Sequence, residues 1–373
     1  MNRRQFLGLA AFGAGGALSG WQKLFPQANS PNTKLPATRL YSATNTLEDS
    51  HFLTELDITT GKTRSQALHW RGHALVPVAN DKILLIGRRP AFQCAVVDFA
   101  HQQLHTFNAT LERHFEGHAC WSATDDVLFT TENDYGNARG VIGIRDRQTW
   151  QPVGEYPTYG IGAHDLHLMP DGKTLVVANG GIQTHPDFGR RPLNLDTMQP
   201  SLVYIDTATG KKLDEYRLPD RFLSIRHLIV TSQGDIGVAL QYEGDLYRNQ
   251  PASLVAWQAY NQELRLLPID KEQVSAFKGY MADLAWAPQQ QLLAVTSSRG
   301  GHVTFWDTQE QRFLSSCVLP EPSGIVYQAD TATFLISDTS GSIYQFSANQ
   351  QPASANLLYQ IPTLQWDNHM LMT

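Results

Sequence analysis

Five histidines recur at one position of a repeating segment, and that recurrence is the strongest chemical signal in the chain. The segments read RGHALVPV from Arg71, EGHACWSA from Glu116, GAHDLHLM from Gly162, IRHLIVTS from Ile225 and DNHMLMT from Asp367. They set His73, His118, His164, His227 and His369 in register, while GYMADLAW and PSGIVYQA carry Met281 and Ser323 there. With 13 histidines in 373 residues, five at one register do not follow from chance. Neutral imidazole binds iron, copper and zinc, and a thioether beside it would favour a softer ion such as Cu(I). A structural reading competes: repeats arise by duplication, and a repeated histidine can serve one hydrogen bond inside each unit. The residues before the five histidines are Gly, Gly, Ala, Arg and Asn, a variety that weakens the case for one inherited bond. Both readings stand at this level.

For these imidazoles to meet, equivalent strands must converge on one axis. The stretch Gly160–Gly210 shows the unit: an alternating strand from His164, a turn at Asp171-Gly172-Lys173, a second strand Thr174–Ala178 and a third at Leu202–Ile205. Apolar alternation bounded by Asp/Gly turns is the period-2 signature of β-structure. Third-strand equivalents end near Asp57, Asp98, Asp146, Asp206, Gln258, Asp307 and Ser347. Their steps of roughly 40–60 residues suit units of four short strands, the longest step holding an insert at Gly180–Pro200. The fold class is therefore all-β, a seven-bladed β-propeller over residues 38–373. The first unit shows only Arg39–Thr44, His51–Ile58 and Thr63–His69, and its missing inner strand can come from Gln365–Leu371 at the C-terminus. A C-terminal strand completing the N-terminal blade closes the ring and leaves no open edge. A monomer is expected.

Strand direction separates the connections into two sets. Short turns such as Asp125-Asp126, Asp171-Gly172 and Gln233-Gly234 lie on one face, and long polar loops lie on the face where the histidines enter. Irregular loops on one side of a rigid scaffold are where binding residues concentrate. Arg190 and Arg191 in the insert, with Arg299, are candidate cofactor-binding residues, since guanidinium holds a carboxylate or haem propionate bidentately. His185 and Asp187 in the same insert are either further ligands or charges that satisfy one another in an Ω-type loop. Glu132 and Asp134 could act as an acid/base pair or bind a cation, but a solvated rim is the better reading. Serine hydrolysis lacks a GxSxG context, and Gly13–Gly16 follows no strand, so no phosphate loop is present.

A formal net charge of −6 without a basic stripe argues against nucleic acid as a partner. Cys94, Cys120 and Cys317 have no CxxC spacing, which excludes a disulfide framework, a zinc ribbon and covalently attached haem. Asn2-Arg3-Arg4-Gln5-Phe6-Leu7 precedes an uncharged run to Leu18, an export signal too short for a stable membrane span. The arginine pair resembles a twin-arginine signal, whose route exports folded proteins. We assign residues 1–30 to this signal and the start of a linker (Gln22–Pro36), and expect a periplasmic protein.

YIDTATGK and PDGKTLVVAN resemble the YVTN class of bacterial propeller repeat. On a larger scale, GIGAHDLHLMPDGKTLVVANGGIQTHPDFGR (Gly160–Arg190), LNLDTMQPSLVYID, LSIRHL, QYEG, SSRGG and WDNH resemble a family of uncharacterised, twin-arginine-exported periplasmic propellers. Members are encoded beside imelysin-type and di-haem peroxidase-like proteins in iron-regulated clusters. The resemblance spans the mature chain and implies service in iron acquisition, with such a neighbour as partner, rather than a known reaction. The histidine register is also similar in architecture to the axial copper site of propeller reductases acting on nitrogen oxides. Iron, copper and haem are the cofactors expected. A metal-dependent oxidoreductase and a metal-free interaction scaffold are the alternatives.

Overall fold

Apolar runs such as KILLIG (Lys82–Gly87), TLVVAN (Thr174–Asn179) and LLAVTS (Leu292–Ser297) become second strands that are buried almost throughout. Both faces of such a strand meet neighbouring sheets, as where Phe129 and Ile142 of one sheet pack on Leu166, Val177 and Val203 of the next. Each fully buried aliphatic side chain contributes about 1.5–3 kcal/mol. Fourth strands such as Gln103–Asn108 and Pro152–Pro157 are mostly exposed, as the rim of a ring must be.

The computed structural model describes residues 39–79, 81–351 and 353–373. The export signal and linker read from the sequence lie outside the described residues. Seven four-stranded antiparallel sheets form a ring, numbered here as blades in chain order. Blade 1 holds Arg39–Asn45, His51–Asp57 and Thr63–Leu68. The inner strands of blades 2 to 7 are Gly72–Ala79, Arg113–Trp121, Ala163–Leu168, Leu223–Val230, Leu284–Ala287 and Pro322–Gln328. Gln365–Met372 pairs with Arg39–Asn45 as the inner strand of blade 1, with Leu40 opposite Met372 and Ser42 opposite Met370. Ser42 Oγ donates to the His369 carbonyl at 2.7 Å, which pins the closing strand beside its histidine.

Blade 6 departs from the regular pattern. Its inner strand begins only at Leu284, so Gly279-Tyr280-Met281 precede it. A six-residue helix, Lys271–Ala276, occupies the connection from blade 5 and is anchored by buried Val274, with Phe277 just beyond it. No helix among the described residues is long and apolar enough to cross a membrane.

Candidate metal centre

A break in the pairing of each histidine-bearing inner strand aims its imidazole inward. In blade 4, Ala163 pairs with Asn179 and Asp165 with Ala178, so His164 is an extra residue without a partner. In blade 5 the extra residue is Arg226, immediately before His227. Pairing also lapses between Gly72 and Leu75 around His73, between Phe115 and Ala119 around His118, and between Trp366 and Met370 around His369. Such bulges bend a strand and redirect its side chains. Gly117, at φ +120°, makes one approach possible: a Cβ there would lie 2.4 Å from His73 Cδ2.

The five imidazoles meet. Ring centroids of His73 and His369 are 4.6 Å apart, His73 and His118 5.0 Å, His118 and His369 4.8 Å, and His227 and His369 4.6 Å. One ring nitrogen from each of His73, His118, His227 and His369 lies within 4.8 Å of the others. His164 joins through His227, their Nε2 atoms 3.2 Å apart. All five residues are between 2% and 8% exposed. None of the five makes a side-chain hydrogen bond within its own blade among the described residues, which removes the inherited intra-blade bond as an account of the register.

Buried carboxylates stand behind two of the rings. His118 Nδ1 is 3.0 Å from Asp165 Oδ1, and His369 Nδ1 is 3.1 Å from Asp283 Oδ1. Each carboxylate is fixed by backbone: Asp165 accepts from Leu166 N and Leu228 N, and Asp283 from Leu284 N and Ile325 N. Asp367 Oδ1 is 3.9 Å from His73 Nδ1, too far for a hydrogen bond, because Arg71 Nε at 2.6 Å and Arg88 at 3.6 Å engage that carboxylate instead. Among the described residues, Nε2 of His118 and of His369 has no hydrogen-bond partner, nor has Nδ1 of His73, His164 or His227.

Burial holds His73, His164 and His227 well below the usual imidazole range. It also lowers His118, against the pull of Asp165. His369 goes the other way: burial opposes its charge, but the Asp283 carboxylate outweighs that and raises it. Desolvation likewise works against Asp165, and His118 and His167 overcome it to keep this carboxyl well below its ordinary value. The centre is thus four imidazoles biased to the neutral form, with free lone pairs, and one biased to the charged form by its carboxylate.

A cavity of about 520 Å³ reaches His73, His164 and His227, and its wall includes Arg88, Arg89, Arg190, Arg226 and Arg299. Glu116 and Glu243 are its carboxylates. The insert supplies Ile182, Arg190 and Pro192 to the wall. Arg191 is exposed and is not part of that wall; its N–H closes the preceding turn on the Phe188 carbonyl at 3.2 Å. Arg299 lies over the Tyr280 ring at 4.5 Å. Arg226 is buried, and burial, then Arg89, lowers its pKa to about 9.

Other positions fall elsewhere. Met281 is fully buried in the largest apolar cluster, with Tyr242 and Phe277, so no thioether argument for a soft ion attaches to it. His185 Nδ1 accepts from Asp187 N at 3.2 Å and caps a 3₁₀ turn, and the pair satisfies itself. Glu132 and Asp134 are not a solvated rim: both are buried on strand Val127–Asp134, held by Arg145 at 2.9 Å and Arg139 at 2.8 Å respectively. Reasoning from sequence missed Asp367, Glu116, Arg226 and Tyr280. All four stand in the aligned segments, Glu116 and Asp367 two residues before their histidines, Arg226 directly before His227 and Tyr280 directly before Met281, but at positions that lack the recurrence of the histidines.

Fold and centre define the class: a seven-bladed β-propeller with a buried cluster of imidazoles on its axis. A family model described as "Protein of unknown function (DUF1513)" matches residues 66–373, and the chain belongs to that family. No curated protein matches the sequence. A chain from the solved structure "Kuenenia stuttgartiensis Hydrazine Synthase" is similar with a TM-score of 0.59 and 15% identity, over 91% of this chain and 99% of that one. At that identity the likeness shows the fold alone.

Proposed function

We propose that the chain binds one transition-metal ion on the propeller axis, with ring nitrogens of His73, His118, His227 and His369 as ligands and His164 beside them. The observation that carries this reading is the pair of unpartnered, buried Nε2 atoms on His118 and His369, each opposite an Nδ1 in contact with a buried carboxylate. A carboxylate on the far nitrogen is how metal-ligating histidines are oriented and their basicity raised. An all-imidazole donor set suits iron, copper or zinc. A bare ion fits better than haem, because edge-to-face rings at 4.6 and 5.0 Å leave no slot for a porphyrin between them. When bound, the ion supplies redox or Lewis-acid chemistry. The protein's part is to keep the imidazoles neutral by burial and to fix two of them through Asp165 and Asp283.

We infer further that this centre serves iron acquisition in the periplasm. The Arg3-Arg4 signal supports export, and the family resemblance supports an imelysin-type or di-haem peroxidase-like partner. The cavity touching His73, His164 and His227 favours, as a second reading, an oxidoreductase in which a small ligand meets the ion.

The test is metal analysis of the full chain purified after export by its own signal, then titration of the chelator-treated protein with iron, copper and zinc salts. One equivalent of metal is expected, lost in the folded double variant His118→Ala/His227→Ala. A protein that emerges metal-free and takes up none of the three ions sinks the proposal and leaves an interaction scaffold.

A further inference from the structure

The arginine cavity carries a second ligand reading that the imidazoles alone do not. Two of its arginines have carboxylate partners: Arg89 lies 3.4 Å from Glu116, and Arg88 3.6 Å from Asp367. Arg190, Arg226 and Arg299 are in no ion pair among the described residues. Arg226 is the telling one. It is 7% exposed, and its Nε and Nη1 have no hydrogen-bond partner among the described residues. A buried guanidinium without a counter-charge is costly, and it persists where a ligand supplies the missing charge. Five arginines face two glutamates on the cavity wall, so the space carries excess positive charge. Apolar lining is sparse, with Ile182 and Pro192 the aliphatic members, so the ligand is polar.

We infer that this cavity binds a compact polycarboxylate whose separate carboxylate groups engage Arg190, Arg226 and Arg299. The three guanidiniums come from the blade 4 insert, the blade 5 inner strand and the second-to-third loop of blade 6. Because the three arginines stand on three different blades, a molecule with carboxylates at two or more ends can offer a separate group to each. The planar fork of guanidinium matches a carboxylate bidentately. Arg299 is already held over Tyr280, so less freedom is lost when it binds. About 520 Å³ lies within the size range of small-ligand sites. The arginines hold this anion whether or not an ion sits on the imidazoles, so the inference stands apart from the metal reading.

Calorimetric titration of the chelator-treated full chain at low ionic strength decides it, with citrate as the tricarboxylate probe and acetate and inorganic phosphate as comparisons. Citrate is expected to bind at least tenfold more tightly than either. Arg190→Ala/Arg299→Ala, at exposed side chains, should weaken citrate at least tenfold while leaving the unliganded melting temperature unchanged. Arg191→Ala, outside the wall, should bind citrate as the parent does. His118→Ala/His369→Ala, at two imidazoles of the cluster that do not line the cavity, should keep citrate binding even if it loses metal, which separates failure of one reading from failure of the other. Phosphate binding as tightly as citrate, a double arginine variant with undiminished affinity, or citrate binding that requires the ion would each overturn the inference.

Discussion

The two ends of the blades treat their polar groups in opposite ways. At the tight-turn end, Asp57, Asp146 and Asp206 each close a third-to-fourth-strand turn. Asp57 accepts from Thr59 N and Thr60 N, Asp146 from Gln148 N and Thr149 N, and Asp206 from Thr209 N and Oγ1. Hydrogen bonds from Thr60, Thr149 and Thr209 hold these carboxyls below their ordinary range. At the other end, eight of the twelve buried side-chain atoms without a partner among the described residues belong to the five histidines, Glu116 and Arg226. Proteins pair buried polar groups almost everywhere. A concentration of unmet ones at one end of a channel therefore marks where a ligand, rather than the fold, completes the bonding.

The largest expected effect tests whether stability and binding separate along these lines. Arg145 and Glu132 form a fully buried pair at 2.9 Å, with Arg145 also over the rings of Phe107 and Phe115. Neither lines the cavity. Arg145→Met leaves Glu132 charged and buried, and should cost about 3–5 kcal/mol in urea unfolding. Metal affinity of the folded fraction should not change. A parallel loss of metal would show that the centre is not insulated from this blade's core.

Asp165→Asn reverses the pattern. It removes the carboxylate charge behind His118 and turns an amide donor toward a backbone N–H, Leu166 N or Leu228 N, that needs an acceptor. Losing such an orienting partner weakens metal binding about 10–100-fold. Competition with a chelator of known affinity measures it. An unchanged affinity would mean that His118 is not a ligand or that its ring is held by packing alone.

These two residues also show what was legible in the sequence. The seven units, the closing strand and the histidine register could be read because each repeats, and a register in a repeat becomes proximity once the ring closes. Asp165 and Asp283 could be seen one or two residues beyond that register, but not which imidazole each meets. His118 of blade 3 meets Asp165 of blade 4, and His369 of blade 1 meets Asp283, which precedes the blade 6 strand and reaches across blade 7. Such pairs depend on how deeply each inner strand enters the channel, which no single repeat records. Gly324 in blade 7 helps set that depth, since a Cβ there would meet His369 C at 2.9 Å. Met281 was misplaced for the same reason: its strand starts three residues later than the alignment implied. Glu132 looked like rim because it precedes a turn, yet its partner Arg145 lies on the next strand.

Acid should expose the same asymmetry in the metal-free protein. Burial places His73, His164 and His227, and to a lesser degree His118, below the unfolded value of 6.5. Between folded and unfolded values the unfolded chain binds more protons, so their contribution is fully present above pH 6.5 and is lost as pH falls below it. His369, raised chiefly because Asp283 outweighs burial, contributes stability below 6.5 that is lost as pH rises through its folded value. His167 joins His369 on that side, since burial opposes its charge but Asp165 outweighs it; four groups against two still make stability rise with pH from 5 to 7 in urea unfolding at each pH. Bound metal steepens the dependence, because protons compete for the same nitrogens. A flat profile would mean that the imidazoles are already solvated and charged.

The smallest effect gives the sharpest control, because it removes the same functional group from the opposite end. Asp171→Ala takes away a carboxylate that accepts from Lys173 N, Thr174 N and Thr174 Oγ1. That turn is exposed, so water replaces the lost acceptor and only a small drop in melting temperature is expected. Asp171 and Asp165 lie in the same hairpin, at either end of one inner strand. If unmet bonding at the channel end is what recruits a ligand, metal affinity in Asp171→Ala stays within about twofold of the parent, the tolerance for sites that share no partner. A loss matching that of Asp165→Asn would instead mean that the strand shifts as a rigid unit, carrying His164 with it. The contrast between the two ends would then reflect shared geometry and not a division of labour.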